Sequence, residues 1–187
     1  MAVVVSLRDM VDEMQFLSHE SNAYLKKSTG KVVTIRDDDF EMVRNMEEFD
    51  EIEESDNGDI ISDLDEYSDL ETEFFQDVMN VLLLDDDYLK LPSKFDIDEY
   101  EIMERFCLYF SDEKISNVLL SKIRGSGAFR RFKDTIYQYR IEEDWFRFRD
   151  EAYKEIAVAW LESHGFEYAD DMNRREKSVW DFLWQAS

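Results

Sequence analysis

The sequence predicts a mostly α-helical protein of the α+β class, with an N-terminal helix and small β-hairpin joined through an acidic connection to a C-terminal helical bundle. Three observations carry that expectation. Apolar residues recur at three- and four-residue spacing through most of the 187-residue chain. One stretch, around Ser28-Thr29-Gly30, sets two short apolar runs on either side of a turn. The single proline, Pro92, interrupts the helical pattern between two periodic halves, because the residue before a proline avoids the helical region.

In chain order, SLRDMVDEMQFLS places Leu7, Met10, Val11, Met14 and Leu17 on one helical face behind a Ser6 cap. NAYLKKSTGKVVTI follows as the hairpin, with Gly30 suited to a left-handed conformation. Asp37 to Asp39 open a helix whose face continues through Phe40, Val43, Met46 and Phe49, since carboxylates are favoured at a helix N-terminus. From Asp50 to Asp69 apolar residues thin out, which predicts a loop. ETEFFQDVMNVLLL restores helical spacing, and DDDYLKLPSKF reads as an extended crossing. This divides the chain into a helix, hairpin and acidic region over 1–88 and a bundle with an amphipathic tail over 89–187.

Four helices are expected beyond the crossing. The first begins at Asp96 or Asp98 and carries Tyr100, Met103, Phe106, Cys107 and Phe110; the second begins at Ser111 and carries Ile115, Val118, Leu119 and Ile123. A third, from Gly127, carries Phe129, Phe132, Ile136 and Tyr139. The fourth runs from Ile141 to Ser163 with Trp145, Phe148, Ala152, Ile156 and Ala159, and stops at Gly165. The tail SVWDFLWQAS is too apolar to hang free, which makes Trp180, Leu183 and Trp184 candidates for contact with the bundle or with another chain.

Composition narrows the function classes. A net charge of -24 repels phosphate polymers and anionic lipid, so nucleic acid is disfavoured as a general partner and a protein partner or self-association is expected. The charge is uneven: residues 37–87 hold 22 acids against one base, Arg44, while residues 122–133 hold five bases and no acid. One cysteine, Cys107, allows no internal disulfide, which predicts a reducing, cytoplasmic setting. The opening MAVVVSL has no basic leader, and nowhere do about 18 apolar residues run together, so neither export nor a membrane span is expected.

Tests for chemistry come out negative, so no catalytic residue, metal or cofactor is expected. Asp37, Asp39, Glu41, Asn45 and Glu48 fall at calcium-loop positions, but Met42 stands where the loop needs glycine. Phe16 and Leu161 stand three residues before the two histidines, His19 and His164, where a di-iron bundle would place glutamates. His164 reads as a helix C-terminal residue favoured by the macrodipole, and Cys107 as a small core residue. Abundant carboxylates leave a carboxylate-based hydrolase as a third-ranked reading.

The one chemically distinct stretch is GSGAFRRFK. It is neither a phosphate loop of the lysine-serine type nor a dinucleotide fingerprint, since Arg130 stands at the place of the last glycine. Two glycines at a helix start, Gly125 and Gly127 on either side of Ser126, ringed by Arg124, Arg130, Arg131 and Lys133, nevertheless make an anion seat for phosphate, nucleotide or RNA. The competing reading pairs the cations with the chain's own acids, such as Asp134, Glu142 or Glu143, with Phe129 and Phe132 turned inward. An uncharacterised, non-catalytic interaction or regulatory protein is the first reading, and the anion-binding module is the alternative.

The run LPSKFDIDEYEIMERF, followed by IRGSGAFRRFKDTIYQYRIEEDWFRFRDEAYKEIAVAWLESHGF, resembles a family of small bacterial proteins known only as an uncharacterised protein family. The resemblance spans residues 89–168 and rests on Gly125, Gly127, Ala128, Phe129, Arg130, Phe132, Asp134, Trp145 and Trp160, with a weaker echo in the hairpin. It implies a shared fold and a bacterial cytoplasmic protein, adds weight to the glycine-aromatic-basic stretch, and implies no activity.

Overall fold

The structure, a computed structural model, describes residues 3–45, 69–110 and 112–172. It is mostly helical with two small sheets. Strand β1 (Val4–Ser6) leads into helix α1 (Leu7–Phe16), where the Ser6 hydroxyl accepts the Asp9 N–H at 3.0 Å and so satisfies one orphan donor of the first turn. Its apolar stripe, Leu7, Met10, Val11 and Met14, is fully buried.

The hairpin forms as the sequence predicts, from β2 (Ser21–Lys26) and β3 (Val32–Arg36) in antiparallel register from Ser21 opposite Arg36 to Leu25 opposite Val32. Gly30 in its turn has φ +76°, and a Cβ there would stand 2.8 Å from Val3 Cγ1 and 3.2 Å from the Val4 carbonyl oxygen. Both the backbone angle and the close approach of β1 therefore require glycine. Helix α2 (Asp37–Arg44) starts with the Asp39 carboxylate accepting the Arg36 N–H at 2.8 Å, and it takes up the first eight positions of the would-be calcium loop. Met46 and Phe49 lie outside the described residues, as does most of the expected acidic loop.

Helix α3 (Asp69–Leu82) leads to β4 (Tyr88–Lys90), which pairs antiparallel with β2 and makes a sheet of order β3-β2-β4. The extended crossing before Pro92 is thus a third strand. The sheet separates two cores. Ala23 and Leu25 face the larger one, while Ile35 joins Val43, Val78 and Met79 in a small one under α2 and α3. At the edge of the small core, Asp77 accepts Lys26 Nζ at 2.8 Å and the Tyr88 hydroxyl at 2.5 Å. Burial alone would lower the Lys26 ammonium, but Asp77 and Tyr88 hold it above its ordinary value.

The expected four helices follow as α4 (Glu99–Tyr109), α5 (Glu113–Lys122), α6 (Ala128–Tyr139) and α7 (Glu142–His164). Asp98 caps α4 by accepting the Glu101 N–H at 2.9 Å. Asp112 caps α5, one residue after the serine the sequence suggests, accepting the Lys114 N–H at 2.8 Å. Phe106 is the hub of the larger core: its ring meets Phe110, Phe132, Trp145 and Phe148 edge-on, with centroids 5.1 to 5.8 Å apart.

Two expectations about faces are corrected. On α6 the buried residues are Ala128, Phe132, Thr135 and Ile136, so Phe129 and Tyr139, expected in the core, are 43% and 39% exposed. Tyr100 on α4 is also exposed. The sequence also signals neither strand of the parallel pair of β1 with β5 (Glu167–Ala169), in which Val4 stands opposite Glu167. Three-residue strands are too short for an alternation to register, and their pairing is set by tertiary contact. Asp171 locks this closure, accepting the Ser6 hydroxyl at 2.7 Å and the Arg8 N–H at 2.9 Å.

Candidate functional site

The glycine-basic stretch forms the turn between α5 and α6. Helix α5 ends at Lys122, and Gly127, with φ +73°, stands at the start of α6. Gly125 is also left-handed and open, and Arg124, Ser126 and Arg130 are exposed. Arg131 behaves differently. Its Nε donates to the Lys122 carbonyl at 2.9 Å, Nη1 to Ser126 at 2.5 Å and Nη2 to Arg124 at 2.6 Å. A planar fork of donors meets the carbonyls left unsatisfied where one helix ends and the next has not begun. The guanidinium closes the turn from inside.

Among the described residues the structure gives the Arg131 guanidinium backbone partners that neither sequence reading named. Neither Arg124 nor Arg130 has an ion pair or side-chain hydrogen bond among the described residues. Lys133 is half-buried on the next turn of α6. The carbonyls gathered around Arg131 make this turn a cation seat, already filled.

A second region, which the sequence reading did not single out, lies between α4 and α7. A groove of about 340 Å³ is lined by Arg105 and Tyr109 from α4 and by Asp144, Arg147, Phe148 and Glu151 from α7. Tyr109 in its lining is 67% exposed, and Leu108, one residue before it in α4, is 63% exposed. Arg105 donates to Glu155 at 3.0 Å and lies over the Phe148 ring, 5.9 Å from its centroid. Arg147 stands 3.7 Å from Asp144, and the Tyr109 and Phe148 rings are 5.7 Å apart. The groove thus has an aromatic floor, a rim of both charges and an apolar lip. The sequence held a signal for it: Leu108 and Tyr109 fall off the stripe of Met103, Phe106 and Cys107, two large apolar residues surplus to the buried face.

Deeper between the helices, Arg149 Nη2 donates to Gln15 Oε1 at 2.7 Å, and Gln15 Nε2 donates to Asp150 at 3.0 Å. Tyr153, 1% exposed, donates to Glu99 at 2.9 Å, and Lys94 pairs with the same carboxylate at 2.6 Å. These bonds tie α1 and the start of α4 to α7. Burial pushes the Tyr153 hydroxyl up, so it holds its proton and acts as a donor. Cys107 is buried, and burial raises its thiol to about 12, far from the range of a working nucleophile. His164 sits in the last turn of α7, its Nδ1 2.8 Å from the Trp160 carbonyl oxygen, and Gly165 ends the helix with φ +74°.

Among the described residues no group of three or more His, Cys, Asp or Glu side chains is placed to hold a metal ion. No described helix is long and apolar enough to cross a membrane. Trp180, Leu183 and Trp184 lie outside the described residues.

A family model described as an uncharacterised protein family (UPF0158) matches residues 80–179, more than half of the chain and a span that includes both the α5–α6 turn and the α4–α7 groove. No curated protein and no solved structure matches the chain.

Proposed function

We propose that this chain, which belongs to the uncharacterised protein family UPF0158, is a non-catalytic interaction module that receives an amphipathic peptide segment of a protein partner in the groove between α4 and α7. The observation that carries this reading is the exposure of Tyr109 in a concavity floored by Phe148 and edged by Arg105 and Arg147, with Leu108 exposed one residue before it in α4. Aromatic residues and arginine are the side chains enriched where proteins bind one another, and apolar anchors from a helix fit such a channel. The buried thiol and the protonated, hydrogen-bonded Tyr153 support a role without covalent chemistry.

A phage-displayed library of random peptides tests it. Peptides retained by the full chain should be amphipathic and should be lost on Tyr109→Asp but kept on Phe95→Ser, another exposed aromatic outside the groove. Retention indifferent to Tyr109→Asp overturns the proposal.

Phosphate, nucleotide or RNA binding is a second reading, favoured by one observation, the exposed Arg124 and Arg130 at the α5–α6 turn, which have no ion pair among the described residues. Filter binding of a single-stranded RNA at low salt, repeated with Arg124→Gln and Arg130→Gln together, tests it, since phosphate contacts weaken steeply with salt. Arg131 is unsuitable for that substitution because its loss would open the turn itself. Binding that survives both changes, or none by the wild type, removes this reading.

A further inference from the structure

The groove between α4 and α7 holds the same pairing of ring and carboxylate twice, and among the described residues only one copy is filled. At one end Arg105 reaches across from α4, lays its guanidinium over the Phe148 ring at 5.9 Å and donates to Glu155 at 3.0 Å. The negative face of the ring draws the cation, and the carboxylate completes its charge. One turn back along α7 stands Glu151, in the same lining as Tyr109, whose ring lies 5.7 Å from that of Phe148. Glu151 is exposed and makes no ion pair among the described residues. Its two neighbouring cations are engaged elsewhere: Arg147 stands 3.7 Å from Asp144, and Lys154 donates to Asp170 at 2.6 Å. Asp144, Glu151 and Glu155 fall on one stripe of α7, so the groove sets three carboxylates against two arginines.

We infer that Tyr109 and Glu151 seat an arginine or lysine of the partner, so that the segment received by the groove is a basic amphipathic helix; this rests on the proposed reading of the groove as a docking face. The net charge of -24 draws cationic segments and repels acidic ones at long range, and the unbalanced carboxylate picks the place of the cation at short range. A long basic side chain suits both surfaces on offer. Its methylene stem lies along the aromatic face while its head reaches the carboxylate. Arginine fits better than lysine, because a planar guanidinium stacks on a ring and still presents donors edgewise, as Arg105 does between Phe148 and Glu155. A neutral or acidic occupant would cover Glu151 without compensating its charge, a cost that sharpens the choice of partner. The apolar anchors of the same helix lie three or four positions from the cation, the spacing that puts two side chains on neighbouring turns of one face.

The test uses the full chain and two phage-displayed libraries of amphipathic helices with one apolar pattern, the first with Lys, Arg and Gln at the polar positions and the second with Asp, Glu and Gln. The basic library should be retained and the acidic one lost. A retained basic peptide, made synthetically, should bind Glu151→Gln about three- to tenfold more weakly, as for an ion pair that docking partly covers. Neutralising one basic residue of the peptide, arginine to citrulline or lysine to acetyl-lysine, should cost the same factor. Both changes together should cost no more than either alone, because they remove one contact. Glu113→Gln, an exposed acid of α5 outside the groove, should leave the affinity unchanged. Equal retention of the two libraries overturns the inference, and so do equal losses at Glu151 and Glu113, which would mean attraction to the whole chain. Losses that multiply for every basic residue of the peptide overturn it too, since the cation then sits elsewhere. A dimer that Glu151→Gln dissociates in sedimentation also overturns it, because a second copy then fills the groove. If peptides bind in a Tyr109-dependent way but indifferently to charge, the docking reading stands and the cation seat falls. If neither library is retained, N-acetyl-arginine methylamide separates the two: a shift of the Tyr109 ring signals that Glu151→Gln abolishes keeps the seat and drops the docking reading, and no shift drops both.

Discussion

The turn after α5 and the groove between α4 and α7 both gather arginines and aromatic rings, yet they dispose of them in opposite ways. At the turn, the side chain that stands out most in the sequence, Arg131, folds back onto its own turn and is consumed by four backbone carbonyls. At the groove, unremarkable residues of two long helices leave Tyr109, Leu108 and the edge of Phe148 facing outward. A cluster that stands out in composition can be a closure device, and a working surface can be assembled from residues that stand out only by lying on the wrong face of their helix.

The largest expected effect comes where the two regions meet. Phe106 touches Phe132 of α6 and Phe148 of the groove floor, and it is fully buried. Phe106→Ala should cost about 3–5 kcal/mol in urea unfolding, the range for deleting a buried ring. A loss below about 1 kcal/mol would mean that the regions do not share a core. Next in size is the turn. Arg131→Ala should destabilise by about 1–3 kcal/mol, as for charge-assisted hydrogen bonds left unmade, and Arg131→Lys should recover little because an ammonium cannot fork to several carbonyls. Arg130→Ala, its exposed neighbour, should stay within about 0.5 kcal/mol. Equal effects at the two positions would erase the distinction drawn between them.

Cys107 gives the third contrast, on the buried side of α4 opposite Tyr109. Because burial raises its folded pKa to about 12, above the ordinary thiol value of 9.0, the stability it contributes is complete below pH 9 and is lost as pH climbs from 9 towards 12, where only the unfolded chain ionises freely. Iodoacetamide at pH 8 should therefore label the native chain far more slowly than the urea-unfolded one, and mass spectrometry of the alkylated fraction reads this directly. Comparable rates would place the thiol at the surface. The smallest effect belongs to the lip: Tyr109→Ser should shift the unfolding midpoint by no more than about 0.5 kcal/mol, whatever it does to binding. A large destabilisation would make Tyr109 a packing residue.

The helices were legible because their cause is local. Leu7, Met10, Val11 and Met14, or Met103, Phe106 and Cys107, announce a buried stripe by spacing alone. The hairpin was legible for the same reason, from Gly30 and its flanking runs. What stayed hidden depends on partners distant in sequence. Nothing local marks Glu167–Ala169 as the mate of Val4–Ser6, or Arg149 as the donor to Gln15. The rotation of α6 that exposes Phe129 while burying Thr135 is set by how the neighbouring helices crowd it. At the candidate site, spacing predicted a helix-turn-helix around the glycines and placed cations there. It could not tell a guanidinium turned onto carbonyls from one turned to solvent, because that choice is made by the geometry of the turn.

The β1–β5 pair has a consequence for how the protein is made. Its two members are about 160 residues apart, so a nascent chain on the ribosome holds β1 and the facing side of α1 without their mates while that whole intervening stretch is made. Contacts of such long sequence separation form late and slowly. Strand β5 then acts as a latch, and a circular permutant that fuses the neighbourhood of β5 to that of β1 should fold faster than the natural order of segments.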